Sequence, residues 1–267
     1  MEPMSRALTV LLVAVVATAV VGADDWPAFR GGSGQGHSSE RGLPLAWSEA
    51  TGVLWKTPVP GRGWSSPVVA NGRAWLTTSV KANAGTGSLR LVAYDVETGR
   101  ETLNVEVFQV IETASPNPKN SLASPTPVVD GERVYVHFGA DGTAALTTDG
   151  QVVWTARFPY ISQHGNGGSP VLYRDRLILS VDGYDTAYVV ALDAATGEER
   201  WRSERRDPIS QAYSTPLVIR VDGVDQIFSI GAFRATAYDP DSGSEIWEVS
   251  YGDGFSNVPA PAFGHGM

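Results

Sequence analysis

Four times along the chain a Ser/Thr-Pro step opens a short apolar run: SSPVVANGRAWLTT from Ser65, PTPVVDGERVYVHF from Pro125, GSPVLYRDRLILSV from Gly168 and STPLVIRVDGVDQIFSI from Ser214. PAPAFGHG, from Pro259, begins a fifth. The prolines at 67, 127, 170, 216 and 261 are 60, 43, 46 and 45 residues apart. The one long interval contains VKANAGTGS and SPNPKNSLASP, both loop-like in composition. Within a period the apolar positions resolve into four short strands. In the third unit these are SPVLY, RLILSV, AYVVALD and EERWRSE; in the second, PVV, RVYVHFG, TAALTT and QVVWTARF. Asn71-Gly72 and Asp130-Gly131 follow the first strand of two units, and such pairs accept the positive φ of a tight hairpin. Proline donates no amide proton, so its place at the head of each first strand suits a strand start or a free inner edge.

A second periodicity joins the last two strands of a unit. LDAATGEERW (residues 192–201) recurs as YDPDSGSEIW (residues 238–247), which displaces Asp193, Gly197 and Trp201 by 46 positions onto Asp239, Gly243 and Trp247. The aspartate accepts hydrogen bonds from turn amides and the glycine supplies a left-handed position, so Asp-x-x-x-Gly predicts a short hairpin with a bulge. The tryptophan then falls at a fixed place on the outermost strand. Burying it removes about 150–250 Å² from water, worth at most about 4–6 kcal/mol, against about 1 kcal/mol for the turn. A lone four-stranded sheet cannot cover both of its faces, so neighbouring sheets must bury the indoles. Asp95 and Gly99 repeat the turn in the first unit, where Leu103 stands in place of tryptophan. The second unit has Trp154 but shortens its turn to Thr148-Asp149-Gly150. Two seams are therefore expected to pack differently from the rest.

Four-stranded units of about 40–45 residues set around an axis make a β-propeller, so the expected class is all-β with four-stranded antiparallel blades. DWPAFRG from Asp25, GLPLAWSEATGVLWKTPVPGRGWSSPVV and VVALDAATGEERW resemble the PQQ-binding-like β-propeller repeat proteins, which include relatives of the outer-membrane assembly propeller. The resemblance runs over essentially all of the chain after residue 23. It implies that Trp55, in GVLWKTPVP, lies on an outer strand completing the last blade of a ring. Seven- and eight-bladed relatives imply about 100 or more further residues at roughly 45 per blade. The expectation is an incomplete propeller over residues 52–267, four full blades plus partial ones, C-terminally truncated, with the missing blades in the full-length protein. Residues 24–51 are expected to form an N-terminal lead-in.

Residues 1–23 carry Arg6, an apolar run from Ala7 and the small-residue ending Val21-Gly22-Ala23, the order of a secretory signal peptide. Cleavage near Asp24 would give a periplasmic or secreted protein with no stable membrane insertion; an uncleaved anchor is the alternative. The 267 residues include no cysteine, so export brings neither disulfides nor thiolate metal sites. The formal charge of −9, with acidic residues spread along the chain, argues against a nucleic-acid partner.

Candidate chemistry is sparse. His37, His137, His164 and His265 show no zinc spacing, so no metal site is expected. Asp239-x-Asp241-x-Gly243 lacks the later ligands of a calcium loop, and Asp182-Gly-Tyr-Asp185 reads as a turn with a residual capacity for ions. GGSGQG (31–36) has no phosphate-loop lysine and reads as a flexible lead-in. The remaining polar and aromatic residues fall in the segments just before each inner strand, which converge on one channel mouth. Trp64, Ser65, Asn120, Ser121, His164, Asn166, Tyr213 and Asn257 are the candidate ligand-binding residues there. The expected function is a non-catalytic exported platform for a protein or a small polar ligand. Two alternatives stand beside it. One is a carbohydrate-binding propeller, resting on the aromatic mouth residues. The other follows from the resemblance: a quinoprotein dehydrogenase-type domain holding pyrroloquinoline quinone with calcium above a catalytic carboxylate. Such enzymes are longer and usually carry a vicinal cysteine pair, which this sequence lacks.

Overall fold

The computed structural model describes residues 25–81, 85–111, 117–254 and 256–265. The proposed signal peptide, residues 1–23, lies outside them. Sixteen strands form four separate sheets of four, each antiparallel and each in sequence order. Blade 1 holds β1 (Val68–Ala70), β2 (Arg73–Lys81), β3 (Thr86–Asp95) and β4 (Glu101–Ile111). Blade 2 holds β5 (Val128–Val129), β6 (Arg133–His137), β7 (Thr143–Thr147) and β8 (Val152–Ala156). Blade 3 holds β9 (Val171–Tyr173), β10 (Arg176–Asp182), β11 (Ala187–Asp193) and β12 (Glu199–Glu204). Blade 4 holds β13 (Leu217–Val221), β14 (Val224–Ile230), β15 (Arg234–Tyr238) and β16 (Glu245–Ser250). The architecture is that of an incomplete propeller, as the repeat predicts.

The first hairpin of blade 1 turns on Asn71 (φ 55°) and Gly72 (φ 69°), both left-handed, as a two-residue hairpin requires. Blade 4 uses the same device at Asp222 and Gly223. In the last hairpin of three blades the Asp-x-x-x-Gly turn closes as expected. The glycine amides of Gly99, Gly197 and Gly243 each donate to the carbonyl of Asp95, Asp193 and Asp239 at 2.8 Å. Each aspartate Oδ1 also accepts the amide three residues on, at 2.8 Å. A bulge follows: the ladder skips Thr102, Val153, Arg200 or Ile246, the residue just ahead of Leu103, Trp154, Trp201 or Trp247.

The purpose of that geometry lies between blades. Trp154 stacks on Gly197 of the next blade, where a Cβ would come within 2.6 Å of the indole, and its Nε1 donates to Ala194 O at 3.0 Å. Trp201 repeats the arrangement on Gly243 with Pro240 O at 3.0 Å. Trp55, ahead of blade 1, packs on Gly99 and donates to Val96 O at 2.8 Å. The acceptor is always the residue after the turn aspartate. Trp154 and Trp201 are buried at 8% and 7% exposure, whereas Trp247 is 37% exposed and its Nε1 turns to Gln226 of its own blade.

The two departures in the repeat turn out to share one seam. Leu103 of blade 1 packs on Gly150 of blade 2, whose Cβ would lie 2.8 Å from the leucine Cδ1. A smaller side chain meets a shorter turn. The expectation of two unusual seams is corrected to one, because each residue faces the neighbouring blade and not its own turn. Recurring arginines add a second tie: Arg73 donates to Thr148 O at 2.7 Å, Arg133 to Ala194 O at 3.1 Å, and Arg176 pairs with Asp241 at 3.0 Å.

The lead-in differs from its expectation as well. Trp26 exchanges both backbone hydrogen bonds with Val69 of β1, at 2.7 and 2.9 Å, and Pro27 O accepts the Val129 amide of β5 at 2.9 Å. The glycines expected to be flexible form hydrogen-bonded turns, Gly31 N to Ala28 O and Gly34 N to Gly31 O, at 2.9 and 3.0 Å. Residues 27–34 therefore lie across the inner strands β5, β9 and β13, leaving a cavity of about 200 Å³ beneath them. Free inner edges attract this segment, since the first strand of each blade has unpaired backbone groups.

His137, at the end of β6, is 1% exposed; its Nδ1 lies 2.8 Å from Thr143 Oγ1, and among the described residues its Nε2 has no partner. Burial pulls its pKa down to about 4. The unfolded chain binds a proton on this ring near pH 6.5 and the folded chain does not, so stability falls as pH drops from about 6.5 to about 4. Between about pH 7 and about pH 5 this group should remove about 2 kcal/mol. Urea unfolding of His137→Asn at both values is expected to lack that component; an unchanged pH dependence would contradict it.

Candidate functional site

The residue before each inner-strand proline builds the floor of the mouth. Ser66 N donates to Thr126 Oγ1, Thr126 N to Ser169 Oγ and Ser169 N to Thr215 Oγ1, each at 3.0 Å. Blades 1, 2 and 3 thus satisfy their last amide before the proline with the next blade's hydroxyl. This belt holds the mouth segments in register. Its sequence signal is the Ser/Thr identity at 66, 126, 169 and 215, which shares the spacing of the prolines.

Above the belt, blades 2, 3 and 4 enclose a cleft of about 450 Å³, lined by Asn117, Lys119, Asn120, His164, Gly167, Tyr213, Ser256 and Val258. The ring of His164 lies 6.2 Å from that of Tyr213. Asn117 Oδ1 accepts the Lys119 amide at 3.0 Å, which orients its Nδ2 to donate to His164 Nδ1 at 2.9 Å. Asn120 Nδ2 donates to His164 O and Asn166 O at 2.6 and 3.1 Å. Behind Tyr213, its hydroxyl donates to Gln211 Oε1 at 2.5 Å, Gln211 Nε2 donates to the Tyr184 hydroxyl at 2.6 Å, and that hydroxyl donates to Gln163 Oε1 at 3.0 Å. Burial pushes the Tyr213 phenol above its usual range. The side chains on the cleft wall are held by neighbours on two blades, so the surface is preformed.

Of the eight residues singled out in the sequence, Asn120, His164 and Tyr213 line this cleft. Ser121 is buried and its hydroxyl accepts the Ala123 amide at 3.2 Å. Asn166 is buried beneath, its carbonyl taken by Asn120. Asn257 O accepts the Tyr213 amide at 2.8 Å, and its side chain donates to Gly231 O at 2.8 Å. Trp64 and Ser65 stand apart on blade 1. The indole is 57% exposed with Arg62 Cζ 5.8 Å from its ring, and the Ser65 hydroxyl bonds the Thr77 backbone on both sides, at 3.2 and 3.1 Å. Asn117, Lys119, Ser256 and Val258 were not singled out. Lys119, Ser256 and Val258 lie in segments whose place at the mouth the repeat does predict.

The carboxylates of the Asp182 turn are committed elsewhere. Asp182 pairs with Arg205, and Asp185 Oδ1 accepts the Ile161 amide at 2.7 Å. Among the described residues no three His, Cys, Asp or Glu side chains cluster as metal ligands. No helix among them is long and apolar enough to cross a membrane.

The family model described as outer membrane protein assembly factor BamB matches residues 31–159 and again 117–260. No curated protein matches the chain. Its fold is similar to a quinohemoprotein alcohol dehydrogenase from Pseudomonas putida, with a TM-score of 0.58 at 15% identity, covering 87% of this chain and 41% of that one. The quinohemoprotein alcohol dehydrogenase of Comamonas testosteroni gives 0.57 at 16% identity over 87% of this chain and 42% of the other. A europium-containing methanol dehydrogenase gives 0.56 at 12% identity, covering 85% and 48%. The chain thus spans less than half the length of each of these structures, and the likeness is one of fold.

Proposed function

Because this chain belongs to the PQQ-type propeller family described as outer membrane protein assembly factor BamB, we propose that it is an exported, non-catalytic propeller, periplasmic or secreted, whose mouth binds a polar ligand or short peptide. The observation that supports this is the preformed cleft of about 450 Å³ walled by His164, Tyr213 and Asn120. Its volume lies in the range of small-molecule sites, and its aromatic wall and few oriented polar groups are what such sites use.

A second reading, a quinoprotein dehydrogenase-type domain, draws its support from the fold likeness to the dehydrogenases above. The chemistry of this cleft does not fit the cofactor pair. Calcium takes six to eight oxygen ligands, with carboxylates prominent among them, and among the described residues no Asp or Glu lines the cleft.

The test is an array of tetrapeptides with either terminus free, probed with the labelled chain, with hits re-measured by calorimetry. Tyr213→Ala is expected to weaken binding about ten-fold, the loss of about 1.4 kcal/mol, while Tyr213→Phe retains it and both variants melt as the parent does. An array without hits, or hits indifferent to Tyr213→Ala, would remove the proposal. Quinone absorbance and dye-linked alcohol oxidation after adding pyrroloquinoline quinone and calcium would favour the second reading instead.

A further inference from the structure

Few polar groups of the cleft remain uncommitted. Asn120 has none to spare: both hydrogens of Nδ2 are used and its Oδ1 accepts from Ser124 Oγ. Tyr213 has given its hydroxyl hydrogen to Gln211. Asn117 is fixed at both ends, by Lys119 N and His164 Nδ1. With Nδ1 accepting, the neutral imidazole of His164 carries its hydrogen on Nε2. Among the described residues, neither that Nε2 nor the Lys119 ammonium has a hydrogen-bond or ion-pair partner. What the cleft has left to offer is donors: an ammonium, an imidazole N–H and the Ser256 hydroxyl beside them.

Charge points the same way. The chain as a whole carries −9, yet the mouth segments 61–66, 117–124, 163–169, 211–215 and 256–258 contain Arg62, Lys119 and His164 and no Asp or Glu. Arg62 reaches Pro118 O at 2.5 Å, which holds a second cation next to Lys119. A local cationic patch in an acidic protein repels no anion at its own rim and concentrates one there. One lysine on the wall matches a single negative charge, and the Tyr213 ring and Val258 supply an apolar side against which a hydrocarbon group can lie.

Resting on the binding role proposed above, we infer that the cleft between blades 2, 3 and 4 is a carboxylate site: Lys119 Nζ and His164 Nε2 receive the carboxylate of a monoanionic ligand, and Tyr213 and Val258 receive its apolar part. The carboxylate comes from the C-terminus of a peptide or from a free organic acid. Charge-assisted hydrogen bonds of this kind are about twice as strong as neutral ones.

Calorimetry with N-acetyl-Gly-Gly-Leu as the free acid and as the C-terminal amide tests this, with isovalerate as the small-acid probe. The free acid is expected to bind about ten-fold or more tightly than the amide, as loss of a charged hydrogen bond implies. Lys119→Met should erase that preference without changing amide binding, Lys119→Arg should keep it, and rising salt should weaken the acid alone. Isovalerate binding as tightly as the peptide would identify a free acid as the source; weaker isovalerate binding would identify a peptide terminus. Equal affinities for acid and amide, both lost in Tyr213→Ala, would overturn the carboxylate assignment and leave the binding platform standing. Failure of acid, amide and isovalerate to bind at millimolar concentration would overturn the assignment whatever the tetrapeptide array gives; an array with no hits besides would remove the platform too.

Discussion

Gly197→Ala is expected to cost the fold about 2–5 kcal/mol, about twice what a surface glycine in the same backbone conformation costs. Two effects add. Gly197 sits at φ +77°, where a Cβ is penalised by about 1–2 kcal/mol. That same Cβ would also lie 2.6 Å from Trp154 Cδ2, so the indole must leave its place, and overpacking of this kind typically costs about 1–3 kcal/mol. Gly72 separates the two. It has φ +69° and nothing within 4 Å, so Gly72→Ala carries the backbone penalty alone. Unfolding free energies of the two variants from urea titration should differ by about 1–3 kcal/mol. Trp154→Leu should bring them together, because it removes the fused-ring atoms that lie over Gly197. Equal losses in the two glycine variants would show that the indole contact contributes nothing.

Asp182→Asn is expected to destabilise by about 3–5 kcal/mol, since it leaves a buried guanidinium without its counter-charge. The side chains of Arg205 and Asp182 are 4% and 1% exposed. Arg205 Nε and Nη2 reach the two carboxylate oxygens at 2.6 and 3.2 Å, Nη2 also donates to Ser229 Oγ at 2.7 Å, and Nη1 lies 3.4 Å from the Tyr238 hydroxyl. The pair belongs to blade 3 and its further partners to blade 4, so the charge lock spans a seam. Replacing both ions together, Asp182→Val with Arg205→Met, should recover most of the loss, because desolvation then disappears with the attraction. A single asparagine variant within about 1 kcal/mol of the parent would show that the pair is already solvated.

These two sites mark the limits of what the residues disclose in advance. The strands of all four blades, the Asp-x-x-x-Gly hairpins and the bulge before each tryptophan were legible because they depend on neighbours within about ten residues. The partner of each tryptophan was not, since it lies some 40 residues further on and is recognised only as a glycine with no visible duty to another chain segment. Asp182 reads as a turn residue beside Gly183; nothing local announces Arg205, which comes 23 positions later. The lead-in departs from its expectation for a related reason. Its glycines suggest freedom, but the inner strands offer unpaired backbone groups that convert the same glycines into tight turns. At the mouth, the segments were predictable from proline spacing, but that Lys119 and not Trp64 walls the cleft was not.

The seam geometry also limits self-assembly. Each Asp-x-x-x-Gly turn among the described residues already holds an indole, Trp55 on Gly99, Trp154 on Gly197 and Trp201 on Gly243. A second molecule therefore has no vacant glycine on which Trp247 could sit unless its own Trp55 segment is displaced. Head-to-tail growth into a filament, the usual hazard of a surface whose two ends are complementary, is opposed at the Gly99 turn by the protein's own Trp55 segment.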